Sequence, residues 1–202
     1  MQQSDLFAYL VAFLSIVLAV ALTDMIQSTH RLIRAGDRVK WDILTPLLAL
    51  LVFSEISAVF FSLWSDARFD RLSYHGLLAF LTQPLIQALL AFAVLPDEVP
   101  ERGLDLRQFY FANRRYFAVL LLAISVTDWA AVYRWASLHH AFGNADFWWN
   151  FLPTTSIQLA ATLIIFFATS WRMQLGALIV KLLLAQYTFS AWYIDVVPTP
   201  AG

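Results

Sequence analysis

The chain has 202 residues, of which 60% are hydrophobic and only 13% are charged, about half the charged fraction of a water-soluble domain. This composition excludes an ordinary soluble fold and predicts an all-α integral membrane protein whose partner is the lipid bilayer. The formal net charge of −1 argues against a nucleic-acid partner, and the absence of cysteine excludes disulfides, thiolate catalysis and thiolate metal sites.

Six apolar stretches are long enough to cross hydrocarbon roughly 30 Å thick at about 1.5 Å per residue. They cover residues 6–26, 43–64, 75–95, 116–135, 148–170 and 174–194, and helices are required because lipid leaves no other partner for the backbone. Ala19-Val20-Ala21 has the form of a signal-peptidase site. Residues 1–5 contain no Lys or Arg, however, so we expect the first stretch to be a retained span.

Basic residues are concentrated in the odd-numbered loops between these spans: Arg31, Arg34, Arg38, Lys40, Arg102, Arg107, Arg114, Arg115 and Arg172. Because Lys and Arg favour the cytoplasmic side, this asymmetry predicts that both termini are extracytoplasmic. Aromatic residues gather at the span ends, as is typical of rings at the level of the lipid headgroups; they include Trp41, Trp64, Tyr110, Trp148 and Trp171.

A weak internal repeat relates residues 18–24 to residues 122–128, which place Thr23-Asp24 on Thr127-Asp128. In each case a polar loop, a Trp and a Pro follow. This order predicts a single membrane domain, 1–202, built from two inverted three-helix halves, 1–96 and 113–202, joined by a linker, 97–112. Inverted halves recur in secondary transporters. The alternative is a coincidence between two apolar stretches.

Polar residues within the spans recur at helical spacing and should face other helices. Gln83 and Gln87 share a face of the third span, and Gln158 and Thr162 share a face of the fifth. Two interpretations stay open. The side chains line a path for a solute, or they pack the helices and hydrogen-bond across them without any ligand.

Charged residues within the spans are the sharpest candidates for ion coupling, because an ion in hydrocarbon requires a partner. They are Glu55 in the second span, Asp128 in the fourth and Lys181 in the sixth. An acid that exchanges partners with a lysine suits proton-coupled transport, whereas a fixed ion pair would only lock the helix register. Asp24 lies nearer a basic segment, 30–34, and is expected to pair there.

No metal, cofactor or catalytic motif is expected in this sequence. The histidines lie at span ends or in loops, which disfavours a haem in the bundle. A divalent-metal site on the outer face, from His75, His139, His140, Asp66, Asp70 and Asp146, matches no known ligand spacing. We therefore expect that the protein is not an enzyme.

The layout of Thr-Asp, a basic loop and Trp, together with the linker Leu95-Pro96-Asp97-Glu98, resembles a group of six-span bacterial inner-membrane proteins. The resemblance implies a bacterial inner-membrane location and carries no activity with it. The sequence favours a small transporter or channel for an ion or polar solute, either alone or as a homo-oligomer. The alternative is an assembly or sensory subunit whose polar stripes bind partner helices.

Overall fold

A computed structural model describes residues 3–65, 74–138 and 140–189. These residues form six α-helices: α1 Gln3–Arg34, α2 Leu44–Ser65, α3 Tyr74–Val94, α4 Leu106–Leu138, α5 Ala145–Phe167 and α6 Trp171–Phe189. Two short strands, β1 Val39–Lys40 and β2 Leu104–Asp105, pair in parallel. The all-α prediction is confirmed.

Helices α1 and α4 are longer than the apolar stretches predicted, at 32 and 33 residues. α1 continues through the basic segment, 30–34. α4 begins at Leu106, so that Arg107 is helical rather than part of the expected linker, 97–112. Arg114 and Arg115, expected in the loop before the fourth span, are helical as well. Long helices can carry charged turns beyond hydrocarbon, where apolar character is no longer required.

Four helices are long and apolar enough to cross a bilayer, over Ala8–Arg34, Leu44–Phe61, Leu106–Arg134 and Phe147–Phe167. Within the described residues α3 contributes a shorter apolar stretch, Phe80–Val94. Large apolar side chains cover the outside of the helices, among them Phe167 at 71% exposure and Ile26 at 69%, whereas Gln87 and Lys181 are buried. Polar interiors with apolar exteriors are compatible with embedding in a membrane.

Five of the helices close into a ring in the order α2, α3, α4, α5, α6 and back to α2, since each adjacent pair is in contact. α1 lies outside this ring and packs mainly on α3, with a smaller contact on α2. The hydrophobic core extends through the ring and into the contact between the ring and α1. It includes Leu18, Leu48, Leu90, Phe117 and Leu178. The side chains that turn inward from α2 to α6 therefore share one interior.

Loops 35–43, 95–105 and 168–170 meet at one end of the bundle, which we call the basic face. The strand pair joins the first two loops, with Val39 opposite Leu104 and Lys40 opposite Asp105. The third loop is held by Trp171, whose Nε1 donates to Oδ2 of Asp42 at 3.0 Å. The three predicted odd-numbered loops thus lie together.

Aspartates begin two helices at the basic face. Oδ1 of Asp42 accepts the backbone N–H of Leu44, and Oδ1 of Asp105 accepts those of Arg107 and Gln108, which satisfies amides that lack a partner in the first helical turn. Gly103 has a φ of +87°, and a Cβ there would lie 2.9 Å from the carbonyl oxygen of Arg38. Only glycine fits this turn without strain.

Candidate functional site

Each of the five ring helices contributes one side chain to a polar cluster in the interior. The amide Nε2 of Gln83 on α3 donates to Oδ1 of Asp128 on α4 at 2.5 Å. The ammonium Nζ of Lys181 on α6 donates to Oγ1 of Thr162 on α5 at 3.1 Å. Glu55 on α2 interacts electrostatically with both Lys181 and Asp128. We call these five residues the polar centre.

The three charges of the polar centre act on one another without direct contact. Lys181 interacts electrostatically with Glu55 and Asp128, but among the described residues its Nζ lies within 4.0 Å of no carboxylate oxygen. A direct ion pair, one of the two alternatives left open by the sequence, is therefore not formed among the described residues. The ammonium is held instead by a neutral hydroxyl.

Helix geometry explains why Lys181 reaches Thr162. Side chains on a helix lean toward its N-terminus, which in α6 lies at the basic face, and Thr162 lies near the end of α5 at the same face. The hydroxyl of Thr162 donates to the backbone carbonyl of Gln158 at 2.9 Å, so its lone pairs are free to accept from Lys181.

The polar centre lies deep in the bundle. Three of its members, Glu55, Gln83 and Lys181, lie ten or eleven residues from the basic-face end of their helix, which places them roughly 15 to 17 Å along the helix axis at 1.5 Å per residue. This is about half the thickness of a bilayer's hydrocarbon. Thr162 lies nearer that face, and Asp128 lies farther along the longer helix α4. Glu55 is half-buried.

The other candidates from the sequence lie around the polar centre. Gln87 is one turn closer to the basic face than Gln83, is 1% exposed, and neither amide atom has a hydrogen-bond partner among the described residues. Gln158 contributes its backbone carbonyl. Asp24 lies on α1, outside the ring, and forms no ion pair within the described residues. Arg31, in the basic segment with which Asp24 is expected to pair, bonds the side chain of Gln27 and the carbonyl of Asp97 instead.

A second buried polar cluster was missed by the sequence analysis. Oε1 of Gln174 accepts the hydroxyl of Tyr110 at 2.7 Å, and its Nε2 donates to the carbonyls of Ala168 at 2.7 Å and Ile165 at 3.1 Å. Gln174 thereby satisfies carbonyls at the end of α5 that lack a helical partner. A glutamine soon after the polar break 168–170 was the available signal.

Charged contacts organise the surface of the basic face. Nζ of Lys40 lies 2.9 Å from Oδ2 of Asp105, and Nε of Arg107 lies 3.3 Å from Oδ2 of Asp42. The hydrogen bond from Lys40, followed by that from the backbone of Gln108, holds the pKa of Asp105 below its usual value. These contacts fix the loops from which the ring helices start.

Among the described residues no group of three or more His, Cys, Asp or Glu side chains could hold a metal ion. Of the outer-face set considered above, Asp66, Asp70 and His139 lie outside the described residues, as do the side chains of His75 and Asp146.

Comparison with known proteins gives no relative from which a function can be transferred. No protein-family model, no curated protein and no solved structure matches this chain. The functional argument therefore depends on the polar centre alone.

Proposed function

We propose that this protein is a small membrane transporter or channel for an ion or small polar solute, and that a proton moves with it. The observation that carries the proposal is the polar centre, to which each of the helices α2 to α6 contributes one side chain inside a closed ring. Its two hydrogen bonds each join neighbouring helices, α3 to α4 and α5 to α6. The electrostatic interactions of Glu55 with Lys181 and Asp128 connect these two pairs, which packing of neighbouring helices does not require.

The charge balance of the polar centre suits the uptake of one positive charge. Two carboxylates, Glu55 and Asp128, face one ammonium, Lys181, so the ionised centre carries a net charge of −1. A net charge is disfavoured where water is scarce. Binding one proton or one monovalent cation makes the centre neutral, and releasing it restores the charge. Such a centre can hold and deliver a cation.

The position of Lys181 favours an ammonium that can change its partner over an ion pair that only fixes the helix register. A register-locking ion pair requires direct contact with good geometry, and Lys181 contacts Thr162 instead. The ammonium can therefore approach either carboxylate when a proton or solute binds the other. This exchange is the coupling step that we propose.

The architecture proposed with this function is six spans in the bacterial inner membrane with both termini extracytoplasmic. The meeting of the three basic loops at one face supports it, since these loops alternate with the predicted outer loops. Reporter fusions at Gly36 and Gly202 test it. We expect a cytoplasmic signal at Gly36 and an extracytoplasmic signal at Gly202, and signals from the same side at both positions would contradict it.

Inverted three-helix halves are also part of the proposal. Helix lengths recur in order, with 32, 22 and 21 residues in α1 to α3 and 33, 23 and 19 in α4 to α6. Asp24 and Asp128 each lie ten residues before the end of their helix. The packing differs, however, because α1 packs closely along α3, whereas the described parts of α4 and α6 are not packed along one another and are joined by the bond of Tyr110 to Gln174. A superposition of the halves about an axis in the membrane plane is the test.

A homo-oligomer is not needed for this mechanism, because the polar centre is enclosed within one chain.

Flux in proteoliposomes tests the function directly. Purified protein is reconstituted with a pH-sensitive dye inside the vesicles, and proton movement is recorded while a panel of ions and small polar solutes is added outside. We expect at least one compound to drive proton movement above that of empty vesicles. No movement with any compound, together with co-purification of a stable partner, would favour the assembly or sensory subunit.

A further inference from the structure

Three buried polar groups lie between the polar centre and the basic face and have no hydrogen-bond partner among the described residues. They are both amide atoms of Gln87 on α3, the hydroxyl of Ser28 on α1 and Nε of Arg114 on α4. Gln87 is 1% exposed and Ser28 is fully buried. Buried polar groups in native proteins nearly always have a partner, either protein or ordered water. These groups therefore require water or another polar guest.

Ser28 differs from the other helical hydroxyls. Most hydroxyls in these helices donate to the carbonyl four residues earlier, as those of Thr23, Thr29, Ser54 and Thr82 do. That bond satisfies a hydroxyl within its own helix. The hydroxyl of Ser28 makes no such bond, so it is available to a group outside α1.

Two of the unpartnered groups, Ser28 and Gln87, lie at a common depth. Arg31 of α1 donates to the carbonyl of Asp97, just beyond α3, so α1 and α3 end together at the basic face. Ser28 and Gln87 then lie roughly 9 to 11 Å from those ends at 1.5 Å per residue. Arg114 lies closer to the basic face, because it precedes Asp128, the partner of Gln83, by 14 residues or roughly 21 Å along α4. Both α1 and α4 contact α3, which carries Gln87.

Helical spacing connects these groups to the polar centre. Gln87 is one turn from Gln83, which holds Asp128, and Arg114 precedes Asp128 by about four turns on the same face of α4. Asp24 lies one turn before Ser28 on α1. The charged groups near Gln87 and Ser28 in this region are thus the guanidinium of Arg114 and the carboxylate of Asp24, whose charges cancel.

We infer that a chain of water molecules lies between α1 and α3, held by Gln87 and Ser28, and connects the polar centre with the basic face. Water satisfies both the donor and the acceptor of the Gln87 amide, which a single ion of either sign cannot do. This inference rests on the proposed function in one respect, since the water chain is the route by which the proton or solute reaches Asp128.

Cysteine accessibility tests the water chain, because the natural chain contains no cysteine. Gln87→Cys and Ser28→Cys proteins are reconstituted and treated with a membrane-impermeant maleimide from either side. Leu90→Cys, in the dry core of α3, and Ile26→Cys, on the exposed side of α1, are the matched controls. Asp37→Cys, exposed at the basic face, marks the orientation of the protein in the vesicle.

We expect the Gln87→Cys and Ser28→Cys variants to react at least ten times faster than the two controls, and only from the side that labels Asp37→Cys. Rates no higher than those of the controls would overturn the inference. Ser28→Cys changes only one atom, so it keeps the test valid if Gln87→Cys does not fold. Fast labelling without flux in the natural chain would refute the proposed function and keep the water chain, whereas flux without labelling would refute the water chain alone.

Discussion

Replacing Lys181 by methionine tests whether the ammonium stabilises the polar centre. Methionine keeps most of the length of the side chain and removes the charge and the hydrogen bond to Thr162. Glu55 and Asp128 then face each other without a counter-charge. If Lys181 only extended toward lipid headgroups, its loss would remove no partner.

The size of the effect follows from the geometry. A hydrogen bond from a charged donor contributes about 1.5 to 3 kcal/mol. The carboxylates lie beyond direct contact, so at an effective dielectric constant of about 20 each contributes less than about 4 kcal/mol. Removing the desolvation penalty of the ammonium offsets part of this loss. We expect Lys181→Met to lower the free energy of unfolding by about 2 to 3 kcal/mol.

The assay is unfolding in detergent, with Leu183→Met as the matched control. Leu183 is on the same helix and 63% exposed, and its conversion to methionine should change stability by less than about 0.5 kcal/mol. Adding Glu55→Gln to Lys181→Met should recover part of the loss, because it removes an uncompensated negative charge. Equal stability of Lys181→Met and Leu183→Met would refute the electrostatic reasoning.

Three further predictions concern the framework around the polar centre. Gln174→Leu should lower the free energy of unfolding by about 2 to 4 kcal/mol, since it leaves a buried phenol and several α5 carbonyls without partners, and Met173→Leu should change it little in the same melting experiment. Gly103→Ala should lower it by about 1 to 3 kcal/mol because of the positive φ and the close carbonyl, whereas Gly143→Ala, with open space, should not. Asp105→Asn should lower it by less than about 1 kcal/mol above pH 4. That difference should vanish as the pH falls through the lowered pKa of Asp105, because the ionised form is the one that the fold stabilises.

The charged residues of the polar centre could be predicted from the sequence because charge within an apolar stretch is rare. Glu55, Asp128 and Lys181 stand out on that ground alone. Thr162 could be placed on a polar stripe, but not as the partner of Lys181, since many hydroxyls in helices bond their own backbone. The sequence also could not show that α2 to α6 close into a ring, because apolar surfaces of similar shape can pair in several ways.

The helix bounds show a different limit. Their charge predicts that Arg107, Arg114 and Arg115 lie in the loop between the third and fourth spans, yet a helix continues beyond the hydrocarbon wherever its backbone hydrogen bonds are satisfied. Asp105 caps the start of α4 by accepting hydrogen bonds from two backbone amides. This cap can be recognised only when the turn at Gly103 is known. Pairing of β1 with β2 depends on loops far apart in the chain, and no local pattern indicates it.

The measurement that tests the polar centre most directly is the pH dependence of solute-driven proton movement in proteoliposomes containing Glu55→Gln. Glutamine keeps the shape of Glu55 and cannot release a proton. Asp37→Asn, which removes a carboxylate at the exposed basic face, is the matched control. We predict that Glu55→Gln folds with normal yield and loses the pH-dependent flux, while Asp37→Asn retains it. Unchanged pH dependence in Glu55→Gln would contradict the proposed role of the polar centre.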